Sequence, residues 1–318
     1  MKFYGQPLGV IVADTMQLAN YAAGFVEIEY ELQDQNKKIL PTLKDVLSEE
    51  RSRVVDYPHF SSKSKEFGVN TVHKLTGHLE QGIQYHFTME TQTCVVIPIE
   101  DGIDVYSATQ WINNGQIAIA DALHIPNNLV NMNVRRVGGA YGGKITRAGQ
   151  ISCATAVAAF LLNRPVRFVM TLEQNMTIVG KRYSCYNDYE IEIDDNGKIQ
   201  KLKNDYVQDS GCSPNEPVHF NTTEFFKNCY ESKSWDINAK GAITEAPSNT
   251  FCRAPGTTEG IGMIEQIMEH IAKKVGKDPV DVRMANIPED SELKTIIPEF
   301  IQSVGKFNLN IIRLFNLN

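Results

Sequence analysis

Six cysteines, at 94, 153, 185, 212, 229 and 252, nowhere stand in a Cys-x-x-Cys spacing. An iron–sulfur cluster or structural zinc site built from this chain is therefore not expected, and reduced thiols in a cytoplasmic protein are the default. Basic charge is not in excess either. The 31 Lys and Arg against 38 Asp and Glu leave a formal charge of −7, which argues against a nucleic-acid or anionic-membrane surface. No apolar run is long enough for a bilayer, since the longest, residues 151–162, falls short of the ~20 residues a spanning helix needs. The opening Met1-Lys2-Phe3-Tyr4-Gly5 does not read as a signal peptide. With 42% apolar and 22% charged residues, disorder, collagen and coiled coil are excluded, and the length suggests about two globular domains.

The order of elements reads as mixed α+β rather than as a periodic βαβ chain. Residues 8–13 are an apolar run, Asp14 stands at an N-cap position, and a helix follows to Gly24. Val26, Ile28 and Tyr30 alternate with glutamates as in a half-buried strand. The unit reads as cut off, because its first strand begins almost at Met1. Residues 33–70 are polar and read as a linker or long loop with a short helix at 43–48. Residues 94–98 and 103–107 flank a turn at Glu100-Asp101-Gly102. A helix is expected over 115–123 and a strand over 129–134. Residues 151–162 predict a helix buried nearly all round, and 166–170 a buried strand. Residues 189–193 alternate and run into Asn196-Gly197, a hairpin signal. A last amphipathic helix covers 258–275, with Ile261, Ile264, Ile267, Met268, Ile271 and Val275 on one face and Gly276 closing it.

Gly138-Gly139-Ala140-Tyr141-Gly142-Gly143-Lys144 follows a strand and precedes a helix. It fits the pattern of a phosphate-binding P-loop, but Ile145 stands where the magnesium-binding hydroxyl belongs. A tight packing turn and an anion cradle other than an NTPase loop both remain open. His86 and Glu90 could share a metal if they lay on a helix, although a hydrogen-bonded structural histidine is the plainer reading. Gln110 ends a strand, as a side chain presented to a site or as a cap. Arg253 lies in a Gly/Pro turn before the last helix, where it meets an anion or is simply a surface arginine. Two sequons, at Asn175 and Asn221, are set aside for want of a secretory signal.

These segments come in one order: Gly5-Gln6-Pro7 with residues 8–15, then 84–90, Thr109-Gln110, Gly138–Lys144 with Thr146-Arg147, and Ser248-Asn249-Thr250-Phe251-Cys252-Arg253-Ala254-Pro255-Gly256. The ordered set resembles the molybdenum-cofactor subunit of the xanthine dehydrogenase/aldehyde oxidase family, and within it is similar to insect-type aldehyde oxidases. The resemblance implies that residues 1–45 are the end of an α/β hammerhead domain and 46–71 a linker. Residues 72–302 would be the first half of a molybdopterin-binding domain, and the tail 303–318 resembles nothing in the family. It also implies oxidative hydroxylation at a molybdenum–molybdopterin cofactor, a chemistry that belongs to the cofactor while the protein orients it. Gln110 would hydrogen-bond an oxygen ligand of the metal. Tyr141 would stand beside the metal, and Arg253 would bring its backbone near it. Gly139 and Gly142 belong to the loop whose N–H groups are candidates for cofactor binding.

Three departures bear on the substrate. Where purine-oxidising members have a glutamate, an arginine and an aromatic clamp, this chain has Ile145, Asn221 and Pro255. All three purine contacts are thus absent, which favours an aldehyde, and the substrate of the full-length enzyme is expected to be an aldehyde or an N-heterocycle. The resemblance further places FAD, the 2Fe-2S clusters that account for iron binding, and the general-base glutamate outside these residues. The chain alone is then expected to be an inactive fragment, and its parent a homodimer. A non-catalytic remnant acting through a partner and a xanthine dehydrogenase-like enzyme are the competing readings.

Overall fold

The computed structural model describes residues 1–31 and 38–304. Apart from its first two residues, the unassigned tail thus lies outside the described residues, as does part of the polar stretch after residue 31. Helix α1 (Met16–Ala23) forms as expected, but its N-cap is Thr15, whose side chain accepts from the Leu18 N–H, and not Asp14. The two flanking strands do not form. Residues 8–13 and 26–30 run without a ladder among the described residues, and Val10, Val12, Val26, Ile28 and Tyr30 stay exposed. Alternation alone does not make a strand; a partner edge and a covered face do.

Helix α2 (Leu43–Glu49) is set by a capping box between Thr42 and Asp45 and buries Leu43 and Val46 against Val207 and Ala242. The stretch after it, expected as a linker, supplies strand β1 (Val54–Asp56) and a bridge at Ser62. Then follow β2 (His73–Gln81), β3 (Thr93–Ile99), β4 (Gly102–Ser107), α3 (Ile112–Leu123), β5 (Val130–Asn133) and α4 (Arg147–Leu162). Next come β6 (Val166–Val169), α5 (Leu172–Ile178), β7 (Cys185–Ile193), β8 (Ile199–Asp209), α6 (His219–Lys227) and β9 (Trp235–Ala242). Helices α7 (Thr257–Val275), α8 (Pro279–Asn286) and α9 (Leu293–Val304) close the described chain.

The strands form two mixed sheets, one in the order β1-β9-β8-β7-β2 and the other β5-β4-β3-β6. In each, one parallel pair is joined through a helix: β8 to β9 by α6, and β4 to β5 by α3. Parallel neighbours need such a crossover, whereas the β3–β4 and β7–β8 pairs close through tight turns. At the second of these turns Gly197 takes φ +79°, as Asn-Gly hairpins require.

The larger core packs α7 on the five-stranded sheet, with Ile264, Ile267, Met268 and Ile271 against Tyr206, Trp235 and Ile237. Met263 and the carboxyl of Glu259 join that buried face, and Gly276 ends the helix at φ +66°. The smaller core joins α3 and α4 to the four-stranded sheet through Val96, Val105, Ile119, Ile151 and Ala156. Two expectations fail here. The end of α4 is exposed, Leu161 to 76%, because the sheet covers only one side of the helix. Strand β6 is the sheet's edge and only half-buried, since an edge strand lacks a neighbour on one side.

Candidate functional site

The glycine loop lies between β5 and α4. Its glycines are needed first by packing. A Cβ at Gly138 would lie 2.6 Å from Glu90 Cβ and one at Gly143 2.8 Å from the His86 ring, while one at Gly142 would collide with the Phe251 carbonyl. Gly139 (φ +87°), Tyr141 (φ +50°) and Gly142 (φ +101°) give the loop its left-handed bends. Lys144 is buried, and its Nζ donates to Glu90 Oε2 at 2.7 Å. Glu90 also accepts from the Gly138 N–H at 2.9 Å. Burial raises the Glu90 carboxyl, but the bonds from Lys144 and Gly138 outweigh it and hold the group below its ordinary value. Burial lowers the Lys144 ammonium, against the pull of Glu90. A lysine committed to an internal carboxylate does not reach for phosphate, so this is not a P-loop.

Gln110 stands just past β4. Its backbone N–H donates to the Lys144 carbonyl at 2.8 Å. Its Oε1 accepts from the N–H of Gly142 at 3.0 Å and, more weakly, from that of Lys144 at 3.4 Å. With the amide oriented by those donors, the side-chain NH₂ has no protein acceptor among the described residues and belongs to an exposed residue. Gln110 thus caps the loop through its Oε1 and leaves its NH₂ without a protein acceptor among the described residues.

The second loop of the site precedes α7. The Arg253 N–H donates to the Tyr141 carbonyl at 2.8 Å, so the glycine loop and the Arg253 turn are one unit. Ala254 (φ +57°) and Gly256 (φ +73°) bend this turn. Asn221 Nδ2 donates to the Pro255 carbonyl at 3.2 Å, which places two of the three expected substrate-pocket residues side by side. No hydrogen bond joins Ile145 to these two among the described residues; its N–H donates to the Gly142 carbonyl at 3.2 Å. Its neighbour Thr146 bonds Glu216, which also takes Thr250 and, at 3.4 Å, the Phe251 N–H.

The His86 and Glu90 pair does not bind a metal on a helix. The segment around His86 is irregular. His86 Nε2 is 2.7 Å from the Phe251 carbonyl, and burial lowers its pKa, keeping the ring neutral. Among the described residues no group of three or more His, Cys, Asp or Glu is placed to hold a metal ion. The six cysteines are free, and burial pushes the Cys94 thiol up to about 11. Among the described residues no helix is long and apolar enough to cross a membrane.

A metal carried by an organic group would need no such cluster of side chains. The residues fit such a group. The Gln110 NH₂ and the backbone N–H groups of Ala140, Tyr141 and Ala254 donate to no protein acceptor among the described residues, and Tyr141 is itself 46% exposed. Sequence reasoning missed the groups beneath: Arg182, Glu216 and Glu259 are buried and polar, with no local periodicity to reveal them. A separate apolar cavity of about 590 Å³ between α2 and the five-stranded sheet is lined by Leu43, Leu47, Ile83 and Tyr186, and by none of Gln110, Tyr141 or Arg253.

Comparison with known proteins gives one consistent result. The molybdopterin cofactor-binding domain family matches residues 48–287. Indole-3-acetaldehyde oxidase of Zea mays is 32% identical over 316 residues, covering 97% of this chain and 23% of that protein. Xanthine dehydrogenase of Drosophila pseudoobscura pseudoobscura is 29% identical over 297 residues, 91% of this chain and 22% of that protein. Among solved structures, the aldehyde oxidoreductase of Desulfovibrio desulfuricans superposes with a TM-score of 0.74 at 18% identity, covering 92% of this chain and 35% of that one. Quinoline 2-oxidoreductase of Pseudomonas putida gives 0.73 at 19%, covering 92% and 41%.

Proposed function

The chain belongs to the molybdopterin cofactor-binding domain family, and we propose that it forms the first cofactor-binding part of an aldehyde-oxidising molybdenum hydroxylase. It spans about a quarter of the length of the curated relatives it matches, so this activity is proposed for a longer polypeptide. In that reading residues 1–45 end a hammerhead domain and residues 72–302 make the first molybdopterin-binding half.

The observation that carries the proposal is the joined pair of loops. Gln110, Gly139, Tyr141, Gly142 and Arg253, which the motif resemblance assigned to the cofactor, meet through the Gly142–Gln110 and Arg253–Tyr141 bonds. Bound there, a molybdenum–molybdopterin group supplies the two-electron oxidation chemistry. The chain's own part is to orient that group. The Gln110 NH₂ would donate to an oxygen on it, the loop N–H groups would donate to its negatively charged oxygens, and the Lys144–Glu90 pair, with only its ammonium fully buried, would keep the loop from shifting. Overall an aldehyde and water give a carboxylic acid, two protons and two electrons. The 2Fe-2S clusters and FAD that would take up the electrons, and the general-base glutamate, would belong to other parts of the polypeptide.

The aldehyde preference rests on Ile145, Asn221 and Pro255. Asn221 offers only a short neutral amide and spends one of its two N–H donors on the Pro255 carbonyl, the Ile145 side chain has no polar atom to offer, and a proline ring does not stack as an aromatic clamp does. A purine buried against these groups finds neither a carboxylate nor a guanidinium partner, and each ring nitrogen left unpaired costs about 1–3 kcal/mol. A cytoplasmic homodimer completes the proposal.

Molybdenum and pterin analysis of the longer parent protein tests the assignment. About one of each per subunit is expected, with at least a tenfold loss of kcat in the Gln110→Ala variant. A parent with neither group contradicts the reading and favours a non-catalytic remnant.

A further inference from the structure

Arg182 lies outside every motif of the sequence, between α5 and β7, yet it is buried and grips the turn that carries Arg253. Its Nη2 donates to the Arg253 carbonyl at 2.6 Å, and its Nη1 to the Ala254 carbonyl at 3.4 Å. Nε donates to Gln84 Oε1 at 2.8 Å, and Nη1 stands 3.4 Å from Glu259 Oε1. All three nitrogens of the planar guanidinium are engaged, a pattern that the single ammonium of a lysine does not reproduce. Glu259, in the first turn of α7, is 1% exposed. Its Oε2 has no partner, and burial pushes its carboxyl up.

The Arg253–Ala254 peptide is trans, so its C=O and N–H point in opposite directions. Holding the Arg253 carbonyl against Arg182 therefore turns the Ala254 N–H away from the buried guanidinium. Ala254 sits at φ +57°, a region that residues with a Cβ enter at a cost. One side chain grips the carbonyl on each side of that strained position. The Ala254 N–H itself meets no protein acceptor among the described residues.

We propose that Arg182 is a positioning residue. By clamping the Arg253 and Ala254 carbonyls it holds Ala254 in its left-handed conformation and offers the Ala254 N–H to the group bound beside the glycine loop. The inference rests on the molybdopterin reading, which names that group, and adds to it the buried clamp. Glu259 balances the charge of Arg182, while the directional bonds to the two carbonyls do the positioning.

The test uses the longer parent enzyme in three forms: unmutated, Glu259→Gln, and Arg182→Gln with Glu259→Gln. Both variants lack the buried ion pair, and only the second lacks the carbonyl clamp. The Mo(V) paramagnetic resonance spectrum is expected to superpose for the unmutated and Glu259→Gln forms and to change in the double variant. Amide exchange over 250–258 should be at least tenfold faster in the double variant than in Glu259→Gln. The kcat for an aldehyde should be at least tenfold lower, with KM within threefold. Arg182→Lys keeps the charge but only one donor nitrogen in place of the planar fork, and should fall between, so the comparison survives a double variant that does not fold. A double variant whose spectrum and exchange match Glu259→Gln overturns the inference. An unmutated enzyme without molybdenum overturns the underlying reading as well, and that result is read before any variant is made.

Discussion

The backbone N–H of Arg253 donates to the carbonyl oxygen of Tyr141 at 2.8 Å. That bond ties the turn before α7, which packs on the five-stranded sheet, to the glycine loop before α4, which packs on the four-stranded one. Gln110 then fixes the loop from the end of β4 through Gly142. Three segments far apart in sequence are held by backbone groups and a short amide, which gives a rigid frame for a ligand.

Gly142→Ala tests that frame. The new Cβ would collide with the Phe251 carbonyl at a residue with φ +101°, where the backbone conformation alone costs about 1–3 kcal/mol. Urea unfolding of the chain should show a loss of at least about 2 kcal/mol. Gly149 lies in α4 with nothing near its Cβ position, so Gly149→Ala should instead stabilise by about 0.5–1 kcal/mol. Equal effects at the two positions would contradict the packing account.

Lys144→Met removes a buried ammonium whose partner, Glu90, is only partly covered. A loss of about 1–3 kcal/mol is expected at neutral pH. The pair holds the Glu90 pKa below its ordinary value. Its contribution is therefore complete above the unfolded-state pKa, near ~4.3, and is lost as pH falls through the lower folded-state value. The stability gap between the unmutated chain and Lys144→Met should narrow as pH drops below about 4. A gap independent of pH would assign the effect to packing alone.

His219 is fully buried, and burial lowers its pKa to about 4. The unfolded chain then binds a proton near pH ~6.5 that the folded chain refuses, so stability falls as pH drops from about 6.5 to about 4, by roughly 2–4 kcal/mol. In His219→Gln, which keeps a donor for the Lys240 carbonyl that His219 now meets at 3.1 Å, unfolding measured across that window should vary less. An unchanged pH slope would mean that other groups carry it.

The local elements were legible because their signals are local. The Asn196-Gly197 hairpin, the β3–β4 turn and the apolar face of α7 follow from turn chemistry and periodicity. What failed depends on distant partners. Residues 8–13 and 26–30 carry a strand pattern and find no edge, whereas residues 54–56 carry almost none and are drafted into a sheet by β9. The apolar end of α4 is exposed because sequence shows how apolar a helix is and not how much surface lies opposite. Gln110 and Arg253 stood out locally, each with a plain alternative reading, and only the ordered motif set tied them to one site. Arg182 was not legible at all, since its bonds run to Gln84, Arg253, Ala254 and Glu259 from a segment without a pattern.

The 318-residue chain alone should not turn over aldehydes. A positioned general base contributes about 10²–10⁴-fold, and the proposal places that glutamate and the electron-accepting groups elsewhere in the parent. Supplying cofactor and an artificial electron acceptor to the purified chain should give no steady turnover of an aromatic aldehyde. Sustained turnover would place a working base within these residues.

The most direct test of the central claim compares an aromatic aldehyde with xanthine on a single preparation of the parent enzyme. With Ile145, Asn221 and Pro255 in place of polar and aromatic purine contacts, kcat/KM should favour the aldehyde by at least about tenfold, or roughly 1.4 kcal/mol of transition-state stabilisation. Equal or better use of xanthine would contradict the aldehyde assignment.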